Sequence, residues 1–175
     1  EQLLAGRRFG FAYAACDYRE VLGDAEIDAV VIATRHDLHA GMVVEAVQAG
    51  KHVLVEKPLA LREEELDRVA AACERAEGRQ VVLVGHNRRF SPAVAAVREM
   101  LAGRTSPLMM HVRVNAGAMD PDHWHRGPEG GGRWAGEGSH FIDLAAALCG
   151  LPPTRVFATR TVMGGRSRMG ESWAV

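Results

Sequence analysis

The sequence predicts an α/β fold: a parallel sheet wound with helices, followed by the start of an α+β domain whose sheet is mostly antiparallel. Three observations predict it. Continuous apolar segments recur at 29–34, 52–56 and 81–84. Such runs are expected of parallel strands buried on both faces, which lack the alternation of a half-wet strand. Helix-length stretches separate them, and strands alternating with helices build parallel sheets. Beyond residue 90 the pattern changes, and Leu108-Met109-Met110-His111-Val112-Arg113-Val114 alternates with period two. The domain boundary therefore falls at 1–90 against 91–175.

Each element has a local reason. The first ten residues read as the tail of a helix, and Phe11-Ala12-Tyr13 as a short extended piece. Asp17 offers a carboxylate to cap a brief helix, Tyr18–Leu22. Asp37 stands as the N-cap of a helix to Ala49, with Gly50 as its C′ glycine. Residues 62–77 carry Leu66, Val69, Ala70 and Cys73 at helical spacing. Glu63, Glu64 and Glu65 lie near that helix start, where the dipole favours them, and with Arg62 they read as a solvated face. Gly78 ends the helix. Another helix runs from Pro92 to Leu101. A loop rich in Asp, His, Trp and Gly covers 115–136, and a helix runs from about Glu137 to Cys149. Arg155–Met163 and 171–175 read as strands.

Composition narrows the function classes. The 175 residues are 47% hydrophobic and 25% charged, an ordinary globular mixture. A net charge of −1 gives no electrostatic case for nucleic acid or an anionic membrane surface. No apolar run reaches the roughly 18–20 residues needed to span a bilayer. Cys16, Cys73 and Cys149 are odd in number and scattered, which suits reduced thiols in a cytoplasm. Cys73 and Cys149 fall in alanine-rich helical patterns and read as small core residues.

The chemistry gathers at two places. In open α/β sheets ligands sit outside the carboxyl ends of the strands. There the first strand runs into Thr34-Arg35-His36-Asp37-Leu38-His39, and the second into Glu56-Lys57-Pro58. Lys57 precedes a proline, which pushes it toward an extended conformation and permits a cis bond. The plain alternative is a surface lysine in a turn, with Glu56 pairing a nearby cation. The second place is Gly136-Glu137-Gly138-Ser139-His140-Phe141-Ile142-Asp143, where Glu137, His140 and Asp143 are spaced i, i+3, i+6. In the first turn of a helix His140 is disfavoured as an imidazolium, so it reads as a neutral general base. A satisfied structural histidine is the alternative. His123-x-His125 lacks a third local ligand and gives no metal site. Gly130-Gly131-Gly132 follows no strand and carries no Lys-Ser or Lys-Thr, so it is not a phosphate loop.

The Ala33-Thr34…His39 and Glu56-Lys57-Pro58 strand ends resemble those of the Gfo/Idh/MocA oxidoreductases, in which such ends flank the nicotinamide. The resemblance implies a partial Rossmann-type sheet, NAD or NADP as cofactor, and Thr34, His36, His39, Glu56, Lys57 and Pro58 as residues that touch it. It implies Lys57 and His140 as the proton-handling pair. Asn87-Arg88-Arg89-Phe90 resembles the family's Asn-x-Arg-Phe motif; with Trp124, Arg126 and Asp143, it makes Asn87 and Arg89 substrate-binding candidates, although Asn87 also suits a helix cap. One departure is plain. Many members carry an aspartate four residues before the histidine; here Gly136 stands there, and the acid is Glu137, about 100° further round a helix. Glu137 takes the acid's role with a different reach, or binds a substrate hydroxyl. Asn115-Ala-Gly, His123-Trp124 and Gly-Glu-x-x-His resemble a subgroup in which this domain is fused to an alcohol-dehydrogenase-like one.

The implied activity is hydride transfer between nicotinamide and a hydroxyl or carbonyl of a sugar, polyol or nucleotide-sugar. A ligand-sensing protein on the same scaffold, and an eliminase or hydrolase with a transient redox step, are the alternatives. The partners expected are a small sugar-like substrate, and a second copy of the chain or a longer fused chain, in the cytoplasm. The glycine-rich turn for the pyrophosphate and the residue that reads the ribose are expected upstream of residue 1.

Overall fold

A computed structural model describes residues 8–120, 122–161 and 172–174. By its contacts the chain divides into two units, one of residues up to Thr34 with Leu38–Val84, the other of Arg35–Asp37 with Gly85 onward.

The first unit is built on the three apolar segments. Strands β1 (Ala29–Ile32), β2 (His52–Val55) and β3 (Val82–Val84) lie in that order, all parallel. Ile32 stands opposite Val55, and Val55 opposite Val84, so Thr34, Glu56 and Gly85 follow at one sheet edge. Helix α1 (Tyr18–Gly23) starts at Asp17, whose side chain accepts the Arg19 amide, as expected of the cap. Helix α2 (His36–Gln48) and helix α3 (Glu63–Arg75) join the strands. Of the first ten residues, Arg8 and Phe9 are helical; residues 1–7 lie outside the described ones, and Phe11–Tyr13 form no strand.

The strands are not buried on both faces. Ile32, Val53 and Val55 pack with Ala40, Val43, Ala46 and Val47 of α2 and Val69 and Ala72 of α3. Strand side chains alternate, so the register puts Val31, Leu54 and Leu83 together on the opposite face. There Val31 is 72% and Leu83 47% exposed. Both long helices serve one face, which the apolar runs alone do not reveal.

Two helix starts differ from expectation. Asp37 lies inside the first turn of α2 rather than capping it. Its amide donates to the Glu129 carbonyl at 3.2 Å, so an orphan donor of the helix start is met from outside. At α3 the acidic run is not simply a solvated face. Glu65 is 4% exposed, and its carboxylate accepts from the Leu61 and Arg62 amides at 3.0 and 3.2 Å and pairs with the Arg62 guanidinium. That is one half of a capping box: Glu65 at N3 reaches back to the cap amide, while the arginine at the cap, a donor only, cannot accept the N3 amide in return. Burial disfavours the charge, but the two amides and the guanidinium overcome it and hold the carboxyl below its usual range.

In the second unit a 3-10 turn, Asn87–Phe90, leads into α4 (Pro92–Leu101), capped by Ser91 with Pro92 in its first turn. Asn87 is the first residue of that turn, not a cap. Helical backbone begins again at Gly132, is π-helical over Trp134–Gly138, and continues as α5 (Ser139–Cys149). His140 is therefore not in a first turn, and the dipole argument for its neutral form does not hold. Cys149 is exposed rather than in a core, while Cys73 packs partly against the first unit's core. Strands β4 (Thr159–Thr161) and β5 (Ser172–Ala174) pair antiparallel; the strand expected from Arg155 begins only at Thr159, where the ladder to β5 starts, and residues 162–163 lie outside the described ones. Leu108–Val114 forms no ladder among the described residues, and Met109 is 96% exposed. Period-two alternation assigns side chains to faces, but a strand also needs a neighbour for its amides.

Glu65→Ala should destabilise the chain by about 1–2 kcal/mol at neutral pH through the lost cap. A depressed carboxyl contributes fully above its unfolded value, roughly 4.3, and loses that contribution as pH falls through its folded value. Denaturant melts should therefore show the gap between the original and Glu65→Ala closing below about pH 4; a gap independent of pH would refute the buried charge.

Candidate active site

The first unit supplies one set of groups. The ladder between β1 and β2 makes its last rung where the Glu56 amide donates to the Ile32 carbonyl, at 2.8 Å. Past that rung the two chains carry Thr34 and Glu56-Lys57-Pro58. Thr34 is exposed, Glu56 and Lys57 half-buried and Pro58 buried. The Lys57–Pro58 bond is cis, as the sequence allowed. His39, expected at the nicotinamide, is elsewhere engaged. Its ring is 1% exposed, with Nδ1 2.8 Å from the Pro58 carbonyl oxygen and Nε2 3.2 Å from that of Thr34.

The second unit takes His36. The ring is buried, and Nδ1–H donates to the Gly130 carbonyl at 2.8 Å. It meets Trp124 edge-on, centroids 4.6 Å apart, and lies 4.9 Å from the His125 ring. Arg35 stacks on Trp124 at 4.4 Å and pairs with Glu129 at 3.6 Å. His36 is thus gripped by the 124–130 segment instead of being offered to a ligand. Neither Arg35 nor Glu129 was singled out from the sequence; an arginine beside a tryptophan shows only in space. Arg126 is exposed and donates to the Met119 carbonyl at 3.4 Å. Gly130 is where the glycine run matters: a Cβ there would fall 2.2 Å from the His125 Cα.

His140, Asp143 and Arg89 do come together. The Asp143 carboxylate is held by both ends of the Arg89 guanidinium, through Nη2 and, at 2.8 Å, through Nε. That bond is the main reason the Arg89 pKa is raised, against the pull of burial. His86 Nδ1 lies 3.8 Å from the same carboxylate, and the His86 ring meets that of His140 edge-on at 5.8 Å. His140 is buried. Asp143 and Arg89, read as substrate-binding groups, hold each other here. His86 was missed: it precedes the Asn-x-Arg-Phe motif and carries no spacing signal of its own.

Glu137 pairs with Arg133 at 3.5 Å across four residues. The π-helical backbone widens the turn, so the spacing that puts i and i+3 together on an α-helix does not carry over. The bare Gly136 next to it is also explained. A Cβ there would lie 3.3 Å from His36 Cε1 and 3.4 Å from His125 Nδ1, so two histidine rings take the space a side chain would need. Among the described residues no group of three His, Cys, Asp or Glu side chains could hold a metal ion. No helix is long and apolar enough to cross a membrane there.

Residues 2–86 match the GFO_IDH_MocA family model, described as an oxidoreductase family with an NAD-binding Rossmann fold. The chain is 32% identical over 154 residues to levoglucosan dehydrogenase of Pseudarthrobacter phenanthrenivorans, covering 83% of this chain and 39% of that protein. It is 37% identical over 148 residues to inositol 2-dehydrogenase 2 of Paenarthrobacter aurescens, covering 80% and 42%. A solved levoglucosan dehydrogenase in complex with NADH and levoglucosan superposes with a TM-score of 0.69 at 31% identity, over 85% of this chain and 42% of that one. The chain thus spans 39–42% of the length of these relatives.

Installing the aspartate by Gly136→Asp should press on both histidine rings and destabilise the chain by about 1–3 kcal/mol. Thermal melts would measure it. An unchanged melting temperature would mean the rings yield freely and the close packing is not a constraint.

Proposed function

We propose that this chain, which belongs to the Gfo/Idh/MocA family of oxidoreductases, forms part of an NAD(P)-dependent dehydrogenase acting on a sugar or polyol hydroxyl. The observation that carries the reading is the shared edge of β1 and β2, where parallel register puts Thr34 and Glu56-Lys57-Pro58 side by side. The curated relatives support the substrate class, being named for levoglucosan and inositol. Substrates at this scale are small and rich in hydroxyls.

The donor set at that edge fits the nicotinamide end of the cofactor. It offers a hydroxyl, a carboxylate and an ammonium, at the position where open α/β sheets bind ligands. Thr34, Glu56, Lys57 and Pro58 would hold it; His36 and His39 would not, since both rings are buried, His36 with Nδ1 on the Gly130 carbonyl and His39 with its two nitrogens against the carbonyls of Pro58 and Thr34. The cofactor, when bound, supplies the acceptor or donor of a hydride. The chain's own residues handle the proton. Lys57 stands on a backbone fixed on both sides, by the last rung before it and by proline after it, and hydrogen-bonds the reacting hydroxyl oxygen. His140, buried beside His86 and the Arg89–Asp143 pair, takes or returns the proton. Asp143 and Arg89 orient that neighbourhood. Glu137, charge-balanced by Arg133, binds a second substrate hydroxyl, with Asn87, Trp124 and Arg126 as further contacts. A second copy of the chain or a longer fused chain completes the assembly, in the cytoplasm.

In the full-length protein, NADH absorbance with levoglucosan or myo-inositol as substrate tests this. Lys57→Ala and His140→Ala should each lower kcat by about 10²-fold, the usual value of acid–base help, with melting temperature little changed. Full activity in either variant would remove that residue from the reaction. Absence of NADH formation with any polyol would favour the sensing alternative.

A further inference from the structure

We propose that His39 is a positioning residue for Lys57, not a cofactor contact; this rests on the reading that Lys57 acts on the substrate. The argument starts from where the ladder stops. Ile32 and Val55 are the last paired residues of β1 and β2, and the Glu56 amide on the Ile32 carbonyl is the last rung. The carbonyls of Thr34 and Pro58 lie beyond it. Carbonyls that leave a sheet need partners from elsewhere. His39 supplies one for Pro58, its Nδ1–H donating to the Pro58 carbonyl at 2.8 Å, and its Nε2 edge lies 3.2 Å from the Thr34 oxygen. It sits in the first turn of α2, and its ring is among the largest fully buried side chains of the chain. One ring thus fastens the Pro58 end to the start of α2 and packs its other edge against the Thr34 end.

Lys57 is the residue between the two fastenings. On its amino side Glu56 is held by Ile32; on its carboxyl side Pro58, with φ set by its own ring, is held by His39. The lysine backbone is thus tied on both sides. A misplacement of about 1 Å at a reacting group can cost on the order of 10²-fold in rate, so the clamp has a kinetic consequence. The same contacts argue against a nicotinamide role. A ring that is 1% exposed, with both nitrogens facing main-chain carbonyls, has no polar edge left for a ligand.

The test uses the full-length protein with NAD and levoglucosan or myo-inositol, alongside nuclear magnetic resonance of the histidine rings. The clamp predicts a slowly exchanging His39 Nδ1–H in the ligand-free protein; a rapidly exchanging signal overturns it without reference to activity. His39→Leu should lower kcat by at least about 10-fold while the KM for NAD moves less than about 2-fold. His39→Gln, which keeps an amide donor, should recover part of the loss and guards against a His39→Leu chain that fails to fold. In a Lys57→Ala background, His39→Gln should change kcat by less than about 2-fold, because residues acting through one another are not additive. A rise in KM for NAD at constant kcat is the pattern of a cofactor contact and refutes the proposal, as does an additive loss in the double variant. If instead Lys57→Ala alone keeps full activity, the Lys57 reading is what has failed, and the ring signal still reports on the clamp.

Discussion

The rung from the Glu56 amide to the Ile32 carbonyl, 2.8 Å long, is the interaction on which the first unit's site depends. A parallel ladder fixes the relative height of two strands, and its last rung fixes where they part. Because Ile32 faces Val55 and Val55 faces Val84, three apolar strands end at one level and deliver their polar successors to one edge. A slip of one residue would turn Val53 and Val55 from the helix-covered face to the exposed one. The hydrophobic packing of α2 and α3 therefore also enforces the register that places Lys57.

The second unit is held at its candidate site by polar contacts more than by apolar burial. The Arg89–Asp143 pair ties the 3-10 turn after β3 to α5, and His86 and His140 lie against it. A charge pair of this kind gains from two parallel bonds to one carboxylate and fixes orientation as well as distance. Around the start of α2, main-chain carbonyls of Glu129 and Gly130 take the Asp37 amide and the His36 ring. That arrangement needs glycine at 130 and 136, where a side chain would collide with His125 or press on the two rings. The glycines in this stretch answer to packing, not to phosphate.

Much of this was legible in the chain itself. The apolar runs at 29–34, 52–56 and 81–84 gave the parallel strands, although only one face of them is covered by helices among the described residues. Asp17, Pro92 and Gly50 marked helix ends because capping chemistry is local; Gly50 does have the left-handed backbone, φ 80°, that its place demands. Glu56-Lys57-Pro58 at a strand end, and His140 ahead of Asp143, were visible as motifs.

What the sequence by itself determined is thus whatever depends on neighbours along the chain: strand and helix character, caps, and which residue types stand at strand ends. The tertiary structure alone decided which polar groups meet. His39 looked like a ligand-facing residue and is a buried brace; Glu65 looked solvated and is a cap; Asp143 looked like a substrate group and holds Arg89. Leu108–Val114 had the alternation of a strand but gained no ladder among the described residues. The physical reason is the same in each case. A hydrogen bond is specified by two partners, and periodicity or spacing reports on only one of them.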